Sequence, residues 1–435
     1  MTAKSGAAMG FWAVAAIGVG GMVGGGIFAV LGLAVQLARG GAPLAFVVAG
    51  MIALLTSYAY ARLSVALPSR GGTVEFLNHA FGNGLFSGSV NVLLAISYVV
   101  MLSLYSHAFG SYAASFLPVA WRAVGSHVLI CTVIVAVTAL NVVGSAAVGE
   151  AEEWIVGLKI SILLLFVFAG LASVDTAALS TAEWSGATQL IAGGMIIFLA
   201  YEGFELIANA AEDVASPERT LPRAYYASVT FVIVLYVAVA AVTVGNLPVG
   251  DIVAARDYAL AEAARPFLGQ AGFALIAVAA MLSTGSALNA TLYGAARVNY
   301  IIARDGELPE FLEHKVWSRP IEGLLITAAL TLLIANLVDL SSIALVGSAG
   351  FLVAFAAVNA ANVRLHRDTG SRRWISVLGC ATCLAALTAL IVERAAAAPH
   401  ELVGLAVMLA LALGIEAVFR YIVGRRPAAA ASAIK

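Results

Sequence analysis

The sequence predicts an all-α integral membrane protein with twelve transmembrane helices. Three observations carry that prediction. Of the 435 residues, 62% are hydrophobic and 11% are charged, where an ordinary soluble domain is about 25% charged. The mean hydropathy is +0.99. The apolar runs are long and continuous, near the roughly 20 residues that a helix needs to cross a bilayer, and they lack the period-two alternation of a membrane β-barrel. The same composition excludes a disordered chain, which would be charged and poor in apolar residues. A net charge of −1 argues against nucleic acid as a partner, because phosphate contacts draw on a basic surplus.

The gaps between charged residues set out the helices in order. The first lies between Lys4 and Arg39, the second between Arg39 and Arg62, the third between Glu75 and Arg122, and the fourth between Arg122 and Glu150. The fifth follows Glu153, holds a single Lys159 and ends near Ser173. The sixth, 187–213, contains Glu202 and Glu205. The remaining six occupy 224–250, 266–296, 323–338, 340–363, 374–392 and 402–423. The first helix follows a single lysine and is too long for a cleavable signal peptide, so it is expected to remain. Between helices, the glycine-rich 68–84 segment is expected to form a short helix on the inner side, and 251–269 an outer lid.

Orientation follows from Lys and Arg, which accumulate on the cytoplasmic side. With the N-terminus inside, 17 of the 23 fall on cytoplasmic segments and five (Arg39, Arg122, Arg256, Arg265 and Arg394) outside, while Lys159 alone lies within the membrane. Both termini are therefore expected in the cytoplasm, with the chain a multi-pass protein of the cell membrane.

Two helices carry signs of interruption. The first contains Gly18, Gly20, Gly21, Gly24, Gly25 and Gly26, six glycines in nine positions, the poorest helix formers short of proline. Close packing of small residues is one reading. The other is a break at Val23–Gly26, tolerated in a bilayer only where protein or an aqueous cavity satisfies the freed backbone, with its N–H groups facing an anion. The sixth helix carries Tyr201-Glu202-Gly203-Phe204-Glu205. A charged residue at a helix centre costs about 2.5–3.5 kcal/mol on insertion scales, so both glutamates are expected to face water or partners. Interrupted helices at the first and sixth positions point to a transporter of two five-helix repeats with its substrate between them. Half-helix N-termini suit a carboxylate and freed carbonyls suit an ammonium, and an α-amino acid carries both.

At these residues the sequence resembles the amino acid–polyamine–organocation superfamily, in particular its proton-coupled, broad-specificity amino acid transporters. The segments that carry the resemblance are the 24–28 break, Ala139-Leu140-Asn141 with Gly144-Ser145, Tyr201-x-Gly203-Phe204, Pro222-Arg223-Ala224 and Gly245-Asn246-Leu247-Pro248. To these are added Asn289-Ala290-Thr291-x-Tyr293-Gly294 and Asp305-Gly306-Glu307-Leu308-Pro309-Glu310-Phe311. The resemblance implies a LeuT-type fold of 5+5 inverted repeats, here 1–173 and 174–364, with two peripheral helices and a tail in 365–435.

It also implies site residues. The substrate carboxylate would rest on main-chain N–H groups of Gly24, Gly25, Gly26 and Ile27. The α-amino group would rest on carbonyls of Val23 and, on the sixth helix, Leu199, Ala200 and Glu202, beside Phe198 and Gly203. Where many relatives have a serine in the first break, this chain has Gly25 and Gly26 and loses a hydroxyl contact. Relatives are often neutral at positions 202 and 205. Lys159 matches the fifth-helix lysine whose ammonium takes the place of sodium in sodium-coupled relatives, with the Gly20 carbonyl, Ser283 and Thr284 as its partners and with protonation as the switch between access states.

From the residues alone Lys159 has a second reading, in which its side chain snorkels to the nearby interface. Glu202 and Glu205 likewise have several. They attract cationic or larger substrates, or carry a second proton, or are structural, with Glu202 offering only its carbonyl and Glu205 bridging helices. Among aromatics that could line or gate the cavity (Tyr98, Tyr105, Phe198, Tyr201, Phe204 and Phe351), the sixth-helix members are the stronger candidates. Glu416 and Arg420 are spaced to pair along one helix. Cys131, Cys380 and Cys383 read as small buried residues. The histidines have no metal-ligand spacing. No catalytic or nucleotide-binding motif is present, and no cofactor is implied. The expected function is a proton-coupled amino acid symporter, with an exchanger or a carrier of cationic amino acids or polyamines as the alternative.

Overall fold

The computed structural model describes residues 9–143, 147–304 and 321–424. Among the described residues the chain is helical, and extended pairing is limited to two isolated bridges, Met9 with Val214 and Arg39 with Trp184. The motif residues Gly144 and Ser145 and the 305–311 motif lie outside the described residues.

The glycine run divides the first span. Helix α1 (Phe11–Met22) and helix α2 (Gly26–Ala38) meet at a bend of 46°. The second span is α3 (Ala42–Ala66), started by a proline in its first turn, where the missing N–H costs nothing. A short amphipathic helix, α4 (Thr73–Phe81), leads into the third span, α5 (Leu85–Ala114). The fourth and fifth spans are α6 (Val119–Val143) and α7 (Ala147–Leu171). The sixth is composite. Helix α8 (Ala187–Ile197) tightens to a 3-10 helix over Phe198–Tyr201, breaks, and resumes as a 3-10 helix over Phe204–Asp213. The seventh is α9 (Pro217–Asn246), followed by the short helices α10 (Val249–Ala254) and α11 (Ala259–Ala263). The eighth, α12 (Arg265–Arg304), is kinked at Gly269. Then come α13 (Ile321–Leu337), α14 (Leu340–Arg364), α15 (Arg373–Ala397) and α16 (Glu401–Val418).

Among the described residues, ten helices are long and apolar enough to cross a membrane, the bent α1–α2 pair adds an eleventh span, and the shorter α13 stands in the ninth position. The twelve expected helices are each represented. Burial sorts them. The sixth and tenth spans are buried along 89% of their most apolar stretch, but the fourth and twelfth along only 22%. The centre of the bundle is therefore α2, α3, α5, the sixth span and α14, while α6, α15 and α16 turn apolar side chains such as Val128, Leu384 and Val403 outward, as lipid-facing surfaces do.

Both ends of the first span are held by loops. On the Arg39 end, the segment expected as a lid folds into α10, a 3-10 turn at Arg256–Tyr258 and α11. Its backbone lies on α2, where a Cβ added at Gly32 would sit 2.1 Å from the Arg256 carbonyl oxygen. Asp257 reaches toward His107 of α5 at 3.8 Å, and Arg122 donates to the Tyr258 hydroxyl at 3.3 Å. Burial raises the Asp257 carboxyl, but His107 and Arg256 outweigh it and hold the group below the ordinary carboxylate range. At the opposite end Met9 N–H donates to the Asp213 carbonyl at 2.8 Å, and Arg70 bridges Glu212 and Asp213 at 3.3 and 3.2 Å.

Other polar groups fix individual helix ends. Asp339 caps α14 by accepting from the Ser341 and Ser342 N–H groups at 3.0 and 3.1 Å. Burial opposes its ionisation, but hydrogen bonds from both serines prevail and draw its pKa down to about 2. Glu416 and Arg420 pair at 3.5 Å along the twelfth span. Cys383 is buried, whereas Cys131 and Cys380 are partly exposed.

Replacing Gly32 with valine would drive a branched side chain into the backbone at Arg256. Overpacking of this kind costs about 1–3 kcal/mol. Gly32→Val is expected to lower the thermal unfolding midpoint in detergent, and a wild-type midpoint would show that the Arg256 backbone does not rest there.

Candidate functional site

The site is built where two interrupted helices touch through their backbones. Helix α1 ends at Met22 because Val23, at its C-cap, leaves helical geometry with φ −77° and ψ 43°. Gly25 then caps α2 and has no side chain to satisfy the new helix start. The N–H groups of the first turn of any helix lack intrahelical acceptors. Those of Gly26, Ile27 and Phe28 are in that position, and the Ala29 N–H is the first to be taken up, by the Gly25 carbonyl at 3.0 Å. This start is buried.

The sixth span breaks at Glu202 and Gly203. Glu202 is extended, with φ −60° and ψ 147°, and Gly203 is left-handed with φ 116°, a conformation that glycine adopts without steric cost. The Glu205 carboxylate closes over this turn, and Gly203 N–H donates to its Oε2 at 2.7 Å. A Cβ added at Gly203 would lie 2.4 Å from the Gly21 carbonyl carbon, and one at Gly26 would lie 2.6 Å from the Ala200 Cα. The glycines are therefore required by contact between chains of backbone, and all the residues from Phe198 to Glu205 are buried.

The carbonyls released at the end of α1 are taken by side chains from three other spans. Lys159 of α7, 2% exposed, donates to the Gly20 carbonyl at 3.0 Å. Tyr236 of α9 donates to the Met22 carbonyl at 2.7 Å. Ser283 of α12 donates to the Val23 and Gly24 carbonyls at 3.1 and 2.6 Å. Cations and donors are favoured at a helix C-terminus, where the carbonyl ends of the peptide dipoles gather. Within the sixth span, Ser348 of α14 accepts from Leu199 N–H at 3.2 Å and donates to the Ile196 carbonyl at 3.0 Å.

The structure thus gathers Gly20, Val23, Gly24, Gly25, Gly26, Ile27, Phe198, Leu199, Ala200, Glu202 and Gly203 around one contact. It divides the expected partners of Lys159. Gly20 is within hydrogen-bond reach, while Ser283 serves the break itself. Thr284 donates to its own helix, at the Ala280 carbonyl, 2.7 Å. Lys159 is held at a carbonyl inside the bundle, which is not the geometry of a snorkelling side chain. Glu205 satisfies its own turn through Oε2 and forms no bridge to another helix through that oxygen.

The aromatics also differ from expectation. Tyr201 points away from the break to donate to the Phe46 carbonyl at 2.9 Å, and Phe204 packs edge-on against Tyr60 at 5.5 Å. Phe198 likewise meets Phe355 edge-on at 5.8 Å. It is Tyr105 of α5 that covers the break, its ring lying 2.2 Å from where a Cβ of Gly25 would be. Its hydroxyl faces the Glu202 carboxyl, which also faces that of Glu205. Tyr236 was not among the expected site residues. The available signal was a tyrosine deep in an apolar span, since a buried hydroxyl needs an acceptor. Two resemblance segments meet as well, where Asn141 donates to Asn289 at 2.7 Å.

A bundle of apolar spans with a broken first and sixth helix in backbone contact defines a multi-pass membrane transporter. The family model for amino acid permeases matches residues 9–413, and the chain belongs to that family. An uncharacterised protein of Methanocaldococcus jannaschii is 38% identical over 370 residues, covering 84% of each chain. The inner membrane transport protein YbaT of Escherichia coli is 34% identical over 372 residues, 85% of this chain and 86% of its own. A methylthioribose transporter of Bacillus subtilis is 28% identical over 374 residues, 81% and 79%. The last two names describe carriers, and the chain is a permease, not an enzyme.

Gly203→Ala would combine an unfavourable positive φ with a clash against the α1 backbone. A strained backbone position costs about 1–3 kcal/mol. The substitution is expected to reduce uptake sharply in reconstituted vesicles while the protein still inserts. Wild-type uptake would show that the close approach of the two breaks is dispensable.

Proposed function

We propose that this permease is a proton-coupled amino acid symporter of the cell membrane, working by alternating access, with both termini in the cytoplasm. Its two five-helix repeats are 1–173 and 174–364, and 365–435 supplies the peripheral helices and tail. The reading rests most on one observation, the Lys159 ammonium 3.0 Å from the Gly20 carbonyl at the end of α1. A buried cation at that carbonyl holds the fifth span to the first without a metal ion.

The mechanism follows from what each protonation state can do. A protonated Lys159 offers donors to the orphan carbonyls of α1 and a charge that complements the helix C-terminus. A neutral amine loses the charge and a donor, so the hold on α1 weakens and the half-helix is free to tilt. Coupling requires that the two access states bind the proton with different strength, and the shift can be no larger than that difference. The substrate carboxylate is assigned to the N–H groups of Gly24, Gly25, Gly26 and Ile27. The α-amino group is assigned to the carbonyls of Val23, Leu199, Ala200 and Glu202, with Phe198 and Gly203 shaping the pocket. Ser283 and Thr284 complete the coupling region, Ser283 through the Val23 and Gly24 carbonyls.

The alternative is an exchanger or a carrier of cationic amino acids or polyamines, favoured by the two glutamates at the sixth-span break. Competition against labelled alanine in proteoliposomes at several external pH values separates these readings. The panel should include methylthioribose, which has neither charge of an α-amino acid.

Lys159→Ala is expected to remove the acceleration of amino acid uptake by an inward proton gradient. Counterflow of labelled substrate in the absence of a gradient reports whether the variant still binds and turns over. Unchanged gradient dependence in Lys159→Ala, or uptake stimulated by sodium at fixed pH, would overturn the coupling role.

A further inference from the structure

Lys159 accounts for one titratable group in the bundle and leaves two others without a task. Glu202 and Glu205 are 3% and 1% exposed, in the middle of the sixth span. Their carboxyls face one another, and the Glu202 carboxyl also faces the Tyr105 hydroxyl. The other titratable groups around them are Tyr98 on α5, Tyr60 on α3 and Tyr225 on α9, all neutral phenols. Among the described residues, no lysine, arginine or histidine forms an ion pair with either glutamate. Lys159 is directed at Gly20.

Hydrogen bonding leaves an opening. Glu205 Oε2 accepts from Gly203 N–H at 2.7 Å. Its Oε1 is buried and has no hydrogen-bond partner among the described residues. Buried acceptors without donors are rare and call for an explanation. Two carboxylates in contact, away from water and from any cation, cannot both be ionised. Something positive or something that donates must sit with them, and the Glu202 backbone already belongs to the break where the substrate's amino group is placed.

We propose that Glu202 and Glu205 form a second cation position in the transport pathway, held by a proton when the substrate is neutral and by the charged side chain of a basic amino acid when one is carried. The balance is simple. When a basic substrate binds, the O–H bond of the shared carboxyl proton breaks and that proton leaves to the water on the side of entry. The ammonium or guanidinium then takes its place, donating to Glu202 and to Glu205 Oε1. Net charge at the site is the same in both cases. A basic amino acid is therefore carried with one proton fewer than a neutral one, and protons and basic substrates compete for the same position. This inference rests on the amino acid reading given above.

The test uses the full-length protein in proteoliposomes, with alanine and arginine as probes. Proton flux is followed with an internal pH dye and charge movement by the potential that nulls net flux. The expected result is one proton fewer per arginine than per alanine, with equal charge moved per substrate. Arginine's potency against labelled alanine should also fall as the pH is lowered, up to tenfold per pH unit where the proton holds the site. In Glu202→Gln the arginine-to-alanine potency ratio should drop at least tenfold and lose its pH dependence. Equal proton counts for the two substrates, or no inhibition by arginine while alanine is carried, would overturn the second cation position and leave the amino acid reading standing. Failure to carry any amino acid would overturn both. The wild-type proton counts decide the matter even if Glu202→Gln does not fold.

Discussion

Everything in this protein is arranged around carbonyls that a bilayer cannot solvate. An interrupted helix in a hydrocarbon environment exposes backbone groups that must find partners within the protein. The break between α1 and α2 frees the carbonyls of Gly20, Met22, Val23 and Gly24, and donors from α7, α9 and α12 take them up. Those donors explain why polar side chains sit in otherwise apolar spans. They also explain why the break is a meeting point for the bundle and not a defect in one helix. In the proposed cycle, the same dependence is what lets a single proton on Lys159 influence the first span.

The two breaks solve the backbone problem differently. The first uses three residues and distant donors. The second turns within two residues, with a left-handed Gly203 and a local carboxylate that accepts its N–H. Placing the two in direct contact consumes the space of every side chain that could have stood at Gly21, Gly26 or Gly203. The ring of Tyr105 does the same at Gly25. The glycines are thus a property of the pair of helices, and neither helix taken alone accounts for them.

Most of the fold was legible in the sequence because charge spacing and apolar length determine membrane spans directly. The residues of the site were legible where a local rule is broken: a glycine run in a helix, glutamates in mid-span, a lysine in an apolar segment. What was not legible depends on rotation about a helix axis. Nothing in the sequence distinguishes Tyr105, which covers the break, from Tyr201, which turns to Phe46. Nor does it tell Ser283, which serves α1, from Thr284 next to it, which bonds to its own helix. Adjacent positions on a helix point about 100° apart, and only the packing of neighbours fixes which one faces inward. Tyr236 was missed for the same reason.

The donors to α1 have a further consequence for the birth of the protein. Ser283 lies 260 residues downstream of the Val23 carbonyl that it serves. At translation rates of about 5–20 residues per second, the first span waits on the order of 10–50 s for that partner. During this interval the broken helix must be sheltered from lipid by water, by the insertion machinery or by the spans already made. The α1–α2 span enters the membrane well before the α12 serine that completes it, so its fate is decided by the rate at which the rest of the chain arrives.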